Sequence, residues 1–574
     1  MRVLLVNPAC LDERKDQTDA SSVSMGLYYI AAFLKARQID VHVVNLAVVK
    51  EPGSCLDRVL EREKPGIVGV SVVSATRFSA MEIACRTKRR DPGIKTVFGG
   101  AGATFLAREL FSLCPDLDYV VKGEGEVTFF ELFRHVAFGD PRCPEQIRGI
   151  FFRQKGFRQK GFRQKGFRQN GNIRETKNRE VMENLDALPK PGAFFDSEHV
   201  SLSRGCPGRC TFCGSPAFWG RKVRFHSPLW FVDHLELLVN RGITHFYVSD
   251  DTFTMERDRV IKVCDLIIDR GLEITWSAIS RVDFIDETIL FKMRKAGCIQ
   301  ISFGVESGSE TIRQTLGKPV KQERIVAAFR MTASVGILTR AYFIYGSPGE
   351  NDDTIAETMA LMAAIKPLSA VFYLLVVFPG TALYQRLKRE QLVDDGIWQE
   401  KIEDIPWFQK EKNLDFETVK AYGKKLRTGY YTAVSRFAAD VDLVDNPALY
   451  ACHGDFLSRL GMTFSHGDYA GNPDVKDSDR TAEQLFHRSL AYGPNARAYL
   501  GLGMLHQKKR AFARAVAVFE RGLEAFATVK SLNVGMAVSL MNLGRFERAL
   551  EYLEKFHSHR DVEPYIKACR QRGV

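Results

Sequence analysis

The sequence predicts a chain of the α/β class: an N-terminal doubly wound parallel sheet, a partial (β/α)6 barrel, and a C-terminal all-α repeat region. Three observations carry this. Short apolar runs alternate with helical stretches through residues 1–140, and again through 198–385. A linker, 141–197, breaks that rhythm and ends at Pro189 and Pro191. A 34-residue spacing of Ala and large apolar residues appears near the C-terminus. The 574 residues leave room for roughly three to four domains.

In the first region strands are expected at 2–6 (RVLLV), 40–45, 66–72, 95–99 and 118–121. Between them lie SMGLYYIAAFLKAR, CLDRVLEREK, RFSAMEIACRTKRR and TFLARELFSL, read as helices. Five βα units imply a parallel sheet covered on both faces, whose ligands sit beyond the carboxyl ends of the strands. The loops at those ends are polar or glycine-rich: NPA (7–9), SVVSAT (71–76), GGAGAT (99–104) and GEGE (123–126).

The linker opens with RGIFF (148–152) and runs into FRQKGFRQKGFRQKGFRQNG (152–171), four copies of a five-residue unit. The repeat carries seven Arg and Lys and no acid, so it supplies most of the net charge of +12. It reads as a solvated hairpin tip, and the charge balance therefore does not point to nucleic acid.

The barrel strands are expected at 199–203, 245–250, 274–280, 299–307, 340–346 and 371–377, which places chemistry on the loops that follow them. A helical extension, 386–480, contains the amphipathic stretches WQEKIEDIPWF and KAYGKKLRTGYYTAVSRF. In 481–574, Leu502, Gly503, Ala515 and Phe519 fit a tetratricopeptide pattern. Ala549 and Leu553 then stand 34 residues after Ala515 and Phe519. A partial earlier unit holds Ala482, Phe486 and Pro494. So few repeats cannot bury a core alone, so they are expected to stack on residues 400–480.

No apolar run approaches the ~18 residues of a membrane span. MRVLLVNPAC lacks the length and cleavage site of a signal peptide, so a cytoplasmic protein is expected. Nine of the 12 cysteines are scattered and read as buried thiols of a reducing compartment.

The other three, Cys206, Cys210 and Cys213, crowd into CPGRCTFC. Thiolates at this spacing suit zinc or an iron–sulfur cluster. Closed zinc sites favour four ligands in paired knuckles, and no second pair lies nearby; His226 reads as a surface residue. Three ligands leave one coordination position open. The loop follows the first barrel strand, and here the sequence resembles the radical S-adenosylmethionine (SAM) superfamily, whose hallmark is C-x3-C-x-aromatic-C. Phe212 fills the aromatic place.

The resemblance implies that Cys206, Cys210 and Cys213 hold a [4Fe–4S] cluster, that its open iron chelates SAM, and that reduction yields a 5′-deoxyadenosyl radical. It further implies Phe212, Glu306 and Ser307 beside SAM, Arg281 on its carboxylate, and Gly346 to Glu350 near its adenine. A buried Glu306 at the end of an apolar strand needs a ligand or a basic partner. Asp250 and Asp251, in SDDTF, read as positioning or capping residues rather than metal ligands.

Residues 1–385 together resemble the cobalamin-binding radical SAM family, on SMGLYYIAAFLK, GGAGAT and VVKGEGEVTFFEL. This implies cobalamin near Asn7, Ser71, Thr76, Gly99, Gly100, Gly102, Thr104, Gly123 and Glu124. Gly102 stands where many members carry His. Asp40 and His42 mimic a cobalt-ligating motif, but Asn45 replaces its glycine and His42 reads as a strand residue. The expected activity is methylation of an unactivated carbon, with a low-potential donor of the flavodoxin or ferredoxin type. An alternative is radical oxidation or cyclisation, similar to the anaerobic magnesium-protoporphyrin ester cyclase, to which LRTGYYTAVSRF (426–437) bears a slight likeness. A third is a protein-binding module whose C-terminal repeats hold a peptide or carrier protein.

Overall fold

The computed structural model describes residues 1–10, 22–139, 144–154, 173–402, 404–410 and 414–572. Most of the FRQKG tract (155–172) and Cys143 lie outside the described residues.

The first sheet comprises β1 (Val3–Asn7), β2 (Val41–Asn45), β3 (Ile67–Ser71), β4 (Lys95–Gly99), β5 (Tyr119–Val121), β6 (Ile150–Arg153) and β7 (Ile173–Glu175). Their order is β2-β1-β3-β4-β5-β6-β7, parallel through β5, with β6 and β7 added as an antiparallel hairpin. Alternation along β1 divides the core in two. Val3 and Leu5 pack with Leu27, Ala31, Phe129 and Leu132 on one face. Leu4 and Val6 pack with Leu56, Leu60, Ala80 and Ile83 on the other. His42 lies inside β2, opposite Leu4.

The second sheet is all parallel. It contains β8 (His199–Val200), then, after the short strands β9 (Ser203–Arg204) and β10 (Arg224–Phe225), β11 (His245–Val248), β12 (Thr275–Ser280), β13 (Cys298–Glu306), β14 (Leu338–Tyr345) and β15 (Ser369–Leu374). The order is β15-β14-β13-β12-β11-β8, an open six-stranded barrel wall. The strand expected at 199–203 is broken. The Asp250 carboxylate accepts the Leu202 N–H at 2.8 Å and the Ser203 hydroxyl at 2.6 Å, which draws the chain off the sheet. β9 pairs instead with β10.

The described residues of WQEKIEDIPWF, 398–402 and 404–408, are not α-helical, despite their amphipathic spacing. They form short 3-10 turns and a bridge, Ile405–Pro406, paired with Val376–Val377. The buried guanidinium of Arg77 donates to the carbonyls of Trp398 (3.1 Å) and Glu400 (2.8 Å), and also to that of Ile402. Those acceptors, which a helix would satisfy internally, are satisfied from another domain. Trp398 and Trp407 are buried in the core on that face of the first sheet. His226 is not on the surface: it is 1% exposed, stacks on Trp230 at 3.6 Å and lies 3.3 Å from Asp186.

From Phe416 on the chain is helical. Helices Phe416–Ala439, Tyr450–Ser465 and Ser478–Ala491 share a core with the barrel. Helices starting at Ala496 and Phe512 recur as helices starting at Lys530 and Phe546, an offset of 34 residues, with a core of their own around Phe519 and Met536. Asp455 ties this layer to the barrel, accepting from Arg294 (2.9 Å), Arg459 (3.0 Å) and Arg497 (2.8 Å). Burial works against the charged carboxylate, but the arginines hold its pKa below the usual range.

Asp455→Ala is expected to destabilise the chain by about 3 kcal/mol, because it leaves Arg294 buried without its carboxylate. The folded-state pKa of Asp455 is depressed, so its contribution is full above the unfolded value near 4 and is lost progressively as pH falls from there through the depressed folded value. Denaturant melts at pH 7, 4 and 3 check this: the gap between wild type and variant should be constant down to about pH 5 and begin to shrink below pH 4.

Candidate functional site

Both parallel sheets direct the carboxyl ends of their strands toward a common cavity of about 380 Å³. One wall comes from the first sheet and its helices: Tyr29, Ser71, Gly99, Gly100, Gly123 and Glu124. The facing wall is Ser203, Arg204, Phe218, Trp219, Ser249 and Asp251, on either side of the cysteine loop.

Of the residues expected to meet cobalamin, Ser71, Gly99, Gly100, Gly123 and Glu124 line this cavity. Asn7, Thr76, Gly102 and Thr104 stand behind it. Asn7 accepts the Ser24 N–H and donates to Asn45, holding the start of helix Met25–Lys35. The Thr76 hydroxyl closes the turn after β3 by accepting the Val73 N–H. Thr104 Oγ1 accepts the Gly123 N–H at 3.0 Å, joining two of the loops. Gly102 donates to the Val72 carbonyl at 2.8 Å, and a Cβ there would lie 2.7 Å from the Val73 carbonyl carbon. No side chain fits at 102 while helix and strand end stay this close.

Glu124 also has a structural partner. Arg224 reaches it at 2.7 Å and Arg204 at 3.3 Å, while Arg204 bonds Glu126 at 2.6 Å. All four side chains are buried or nearly so. The Arg204 guanidinium lies 4.9 Å from the Tyr29 ring and 5.3 Å from that of Trp219. Burial opposes its charge, but Glu126 more than offsets this and leaves Arg204 above its ordinary pKa.

Two residues after Arg204 the cysteine loop begins. Its thiols are half-buried. Burial pushes Cys210 up, against the opposing pull of Lys318 and Arg281, and pushes Cys213 up to about 11. Arg281 lies 4.0 Å from the Cys210 sulfur and 2.8 Å from Asp283. A position beside Gly208 would be within 3.3 Å of the Cys206 sulfur and 3.8 Å of the Cys210 sulfur, so these two thiols face one spot. Among the described residues no three His, Cys, Asp or Glu close on a single ion. Three thiols around a basic rim, in partial burial, fit a multi-iron cluster, whose positive iron takes the place of the thiol protons.

The loop is braced from behind. Asp250 holds residues 202–203 upstream, and Asp251 accepts the Ser215 hydroxyl at 2.6 Å downstream. Thr252 Oγ1 is 3.6 Å from the Cys206 sulfur. Thr211 donates to the Leu316 carbonyl and accepts from the Leu383 N–H. Gly317, at φ +70°, lets that turn approach: a Cβ would lie 2.5 Å from the Arg209 carbonyl oxygen. Phe212 packs against the apolar cluster that contains Ile312, Leu316 and Leu383.

Among the residues expected to meet SAM, Arg281 lies beside the thiols. Glu306 has the basic partner its burial requires, Lys318 at 2.7 Å, and takes φ +65° at a bulge in β13. The Ser307 hydroxyl lies 3.2 Å from that of Thr358, on helix Asp352–Ile365, and accepts the Ser309 N–H at the start of the next helix, joining the strand end to both. Glu350 accepts the Gly346 N–H at 2.5 Å, and burial raises its carboxyl to about 7. Sequence reasoning missed Arg204, Trp219 and Lys318, whose partners lie on other elements.

Residues 200–362 match the radical SAM superfamily, and residues 19–133 match the B12 binding domain. An uncharacterised methyltransferase of Pyrococcus horikoshii is 27% identical over 445 residues, which span 75% of this chain and 92% of that protein. The anaerobic magnesium-protoporphyrin IX monomethyl ester cyclase of Rubrivivax gelatinosus is also 27% identical, across 62% of this chain and 65% of its own length. The solved structure of the cobalamin-dependent SAM radical enzyme OxsB, with aqua-cobalamin and SAM bound, covers 99% of this chain and 83% of its own. At 15% identity and a TM-score of 0.58, that is a likeness of fold.

Two outcomes follow from the site. Alanine at Cys206, Cys210 or Cys213 should abolish iron and sulfide uptake on anaerobic reconstitution, whereas alanine at the buried Cys264 or Cys298 should leave iron content per chain unchanged. Arg204→Ala strands Glu126 in the interface and should cost about 3–5 kcal/mol; thermal melts read it, and a variant that melts with the wild type would remove Arg204 as the lock between domains.

Proposed function

We propose that this chain, a radical SAM enzyme with a B12-binding domain, methylates an unactivated carbon using a [4Fe–4S] cluster, SAM and cobalamin. The shared cavity carries the reading. Its two walls come from the strand ends of both sheets, so a group held by the first domain faces the cysteine loop of the second. When bound, the cluster and SAM supply a hydrogen-abstracting radical, and cobalamin supplies the methyl carrier. The chain's own residues bind and orient. Cys206, Cys210 and Cys213 ligate the cluster, and Phe212 anchors their loop. Arg281 presents a cation to the SAM carboxylate. Lys318 with Glu306, Ser307, and the Gly346–Glu350 turn shape the rest of its berth. Gly99, Gly100 and Gly123 leave backbone open to a flat macrocycle. Trp219 and Tyr29, both within about 5 Å of the Arg204 guanidinium, keep water out.

A low-potential reductant is required, of the flavodoxin or ferredoxin type. A cytoplasmic setting suits cysteines that are scattered along the chain outside CPGRCTFC. Among the described residues no helix is long and apolar enough to cross a membrane. The helices from Ala496 to Leu553 are read as tetratricopeptide-like repeats, a dock for a peptide or carrier protein. The equal identity to a cyclase favours one second reading, radical oxidation or ring closure on the same scaffold.

Anaerobically reconstituted protein with cobalamin, a strong reductant and methyl-labelled SAM separates the two. The methyltransferase predicts label in the cobalamin fraction together with 5′-deoxyadenosine. Deoxyadenosine with unlabelled cobalamin would overturn methyl transfer in favour of oxidation or cyclisation.

A further inference from the structure

A second cavity, of about 460 Å³, opens at the opposite end of the barrel wall, where β13 and β14 begin and the helical layer crosses beneath them. Its basic groups are Arg294, Arg459 and Arg497; its apolar wall includes Leu338, Phe456 and Leu500. It is separate from the cofactor cavity: Gln300, on its rim, stands six residues along β13 from Glu306, roughly 20 Å at strand rise.

The charges there do not balance. Three guanidinium groups share one carboxylate, that of Asp455. Both Asp455 oxygens are already engaged, Oδ1 by Arg459 and Arg497, Oδ2 by Arg294 and Arg459. Arg294 is 3% exposed, and its Nε–H has no partner among the described residues. Arg459 binds Asp455 through Nε alone, which leaves its terminal nitrogens for something else. Burial lowers the pKa of Arg459; Asp455 raises it, and Arg497 and Arg294 push it down again. Arg497 sits in the first turn of helix Ala496–Lys508, with Leu500 one turn on, and the N-terminal dipole of that helix adds to the positive field. Arg294 is the buried cation of the three; Arg459 and Arg497, each about a third exposed, turn the surplus positive charge toward the cavity beside its apolar wall.

We propose that this cavity binds a small organic anion, with its carboxylate or phosphate on Arg459 and Arg497 and its apolar part against Leu338, Phe456 and Leu500. A bare inorganic anion leaves the apolar wall wet; an apolar ligand leaves the guanidiniums uncompensated. Because the site spans the seam between barrel and helical layer, its occupant stabilises that seam. The assignment stands independently of the reaction at the cluster.

The probe is phenyl phosphate, titrated into the full-length chain at constant ionic strength, so that general screening does not change. Thermal melts and calorimetry read binding. A saturable rise in Tm is expected, with inorganic phosphate weaker by about tenfold or more for lack of the buried ring. Arg497 is 34% exposed, and without it Asp455 keeps Arg294 and Arg459, so it is the arginine to replace. Arg497→Gln should lose the shift, and Arg497→Lys should keep part of it. The site is overturned by the absence of a saturable shift in wild type, or by equal shifts in wild type and Arg497→Gln. Inorganic phosphate binding as tightly as phenyl phosphate would overturn the organic class of the ligand.

Discussion

Arg204 is the constraint on which the rest of this architecture depends. It lies two residues before the first cysteine of the loop, and its guanidinium is buried between Glu124 and Glu126 of the first domain. A charge in that position is tolerable only while both carboxylates stay in place. The glycine-rich loop after β5 is therefore locked to the strand that launches the cysteine loop. Whatever the two domains bind, the relative position of the two binding edges is held by this buried cluster, which Arg224 completes on Glu124 at 2.7 Å and which neither domain satisfies alone.

The residues that follow Arg204 are held by a second device. Asp250, Asp251 and Thr252 are consecutive, yet they reach the entry to the loop, its exit and its first sulfur. A strand end is a rigid platform, and three adjacent side chains on one can fix a flexible loop at three points. The cost is the break in the expected strand at 199–203, whose backbone is diverted to meet Asp250. Gly317 and Leu316 support the same loop from the far side. The thiols are in this way held in place by the fold itself, which reduces the ordering that any ligand binding there must supply.

Legibility from sequence followed the range of the interactions. CPGRCTFC was readable because the chemistry lies in local spacing. The strands of both sheets were readable because buried parallel strands are short, nearly continuous apolar runs with fixed turn chemistry between them. Glu306 was half-readable: burial of a carboxylate demands a partner, but the identity of Lys318 depends on where the turn after β13 returns. WQEKIEDIPWF was misread because helical spacing is only a preference. Arg77, more than 300 residues upstream, satisfies its carbonyls and removes the reason to coil. His226 was misread because a lone His carries no signal of the Trp230 ring that covers it.

By itself, then, the sequence determined the α/β class, the order of sheet, barrel and helices, and the clustering of three thiols in one loop after the first barrel strand. These rest on periodicity and spacing, which are properties of short segments. Only the tertiary structure decided which strand ends share a cavity, that Glu124 joins the lock between domains, that Gly102 is a packing glycine, and that three arginines crowd one aspartate at the barrel floor. Each of these depends on pairing between residues far apart in the chain. Buried charge enforces such pairing, because an unpaired ion in the interior costs more than the chain can spare.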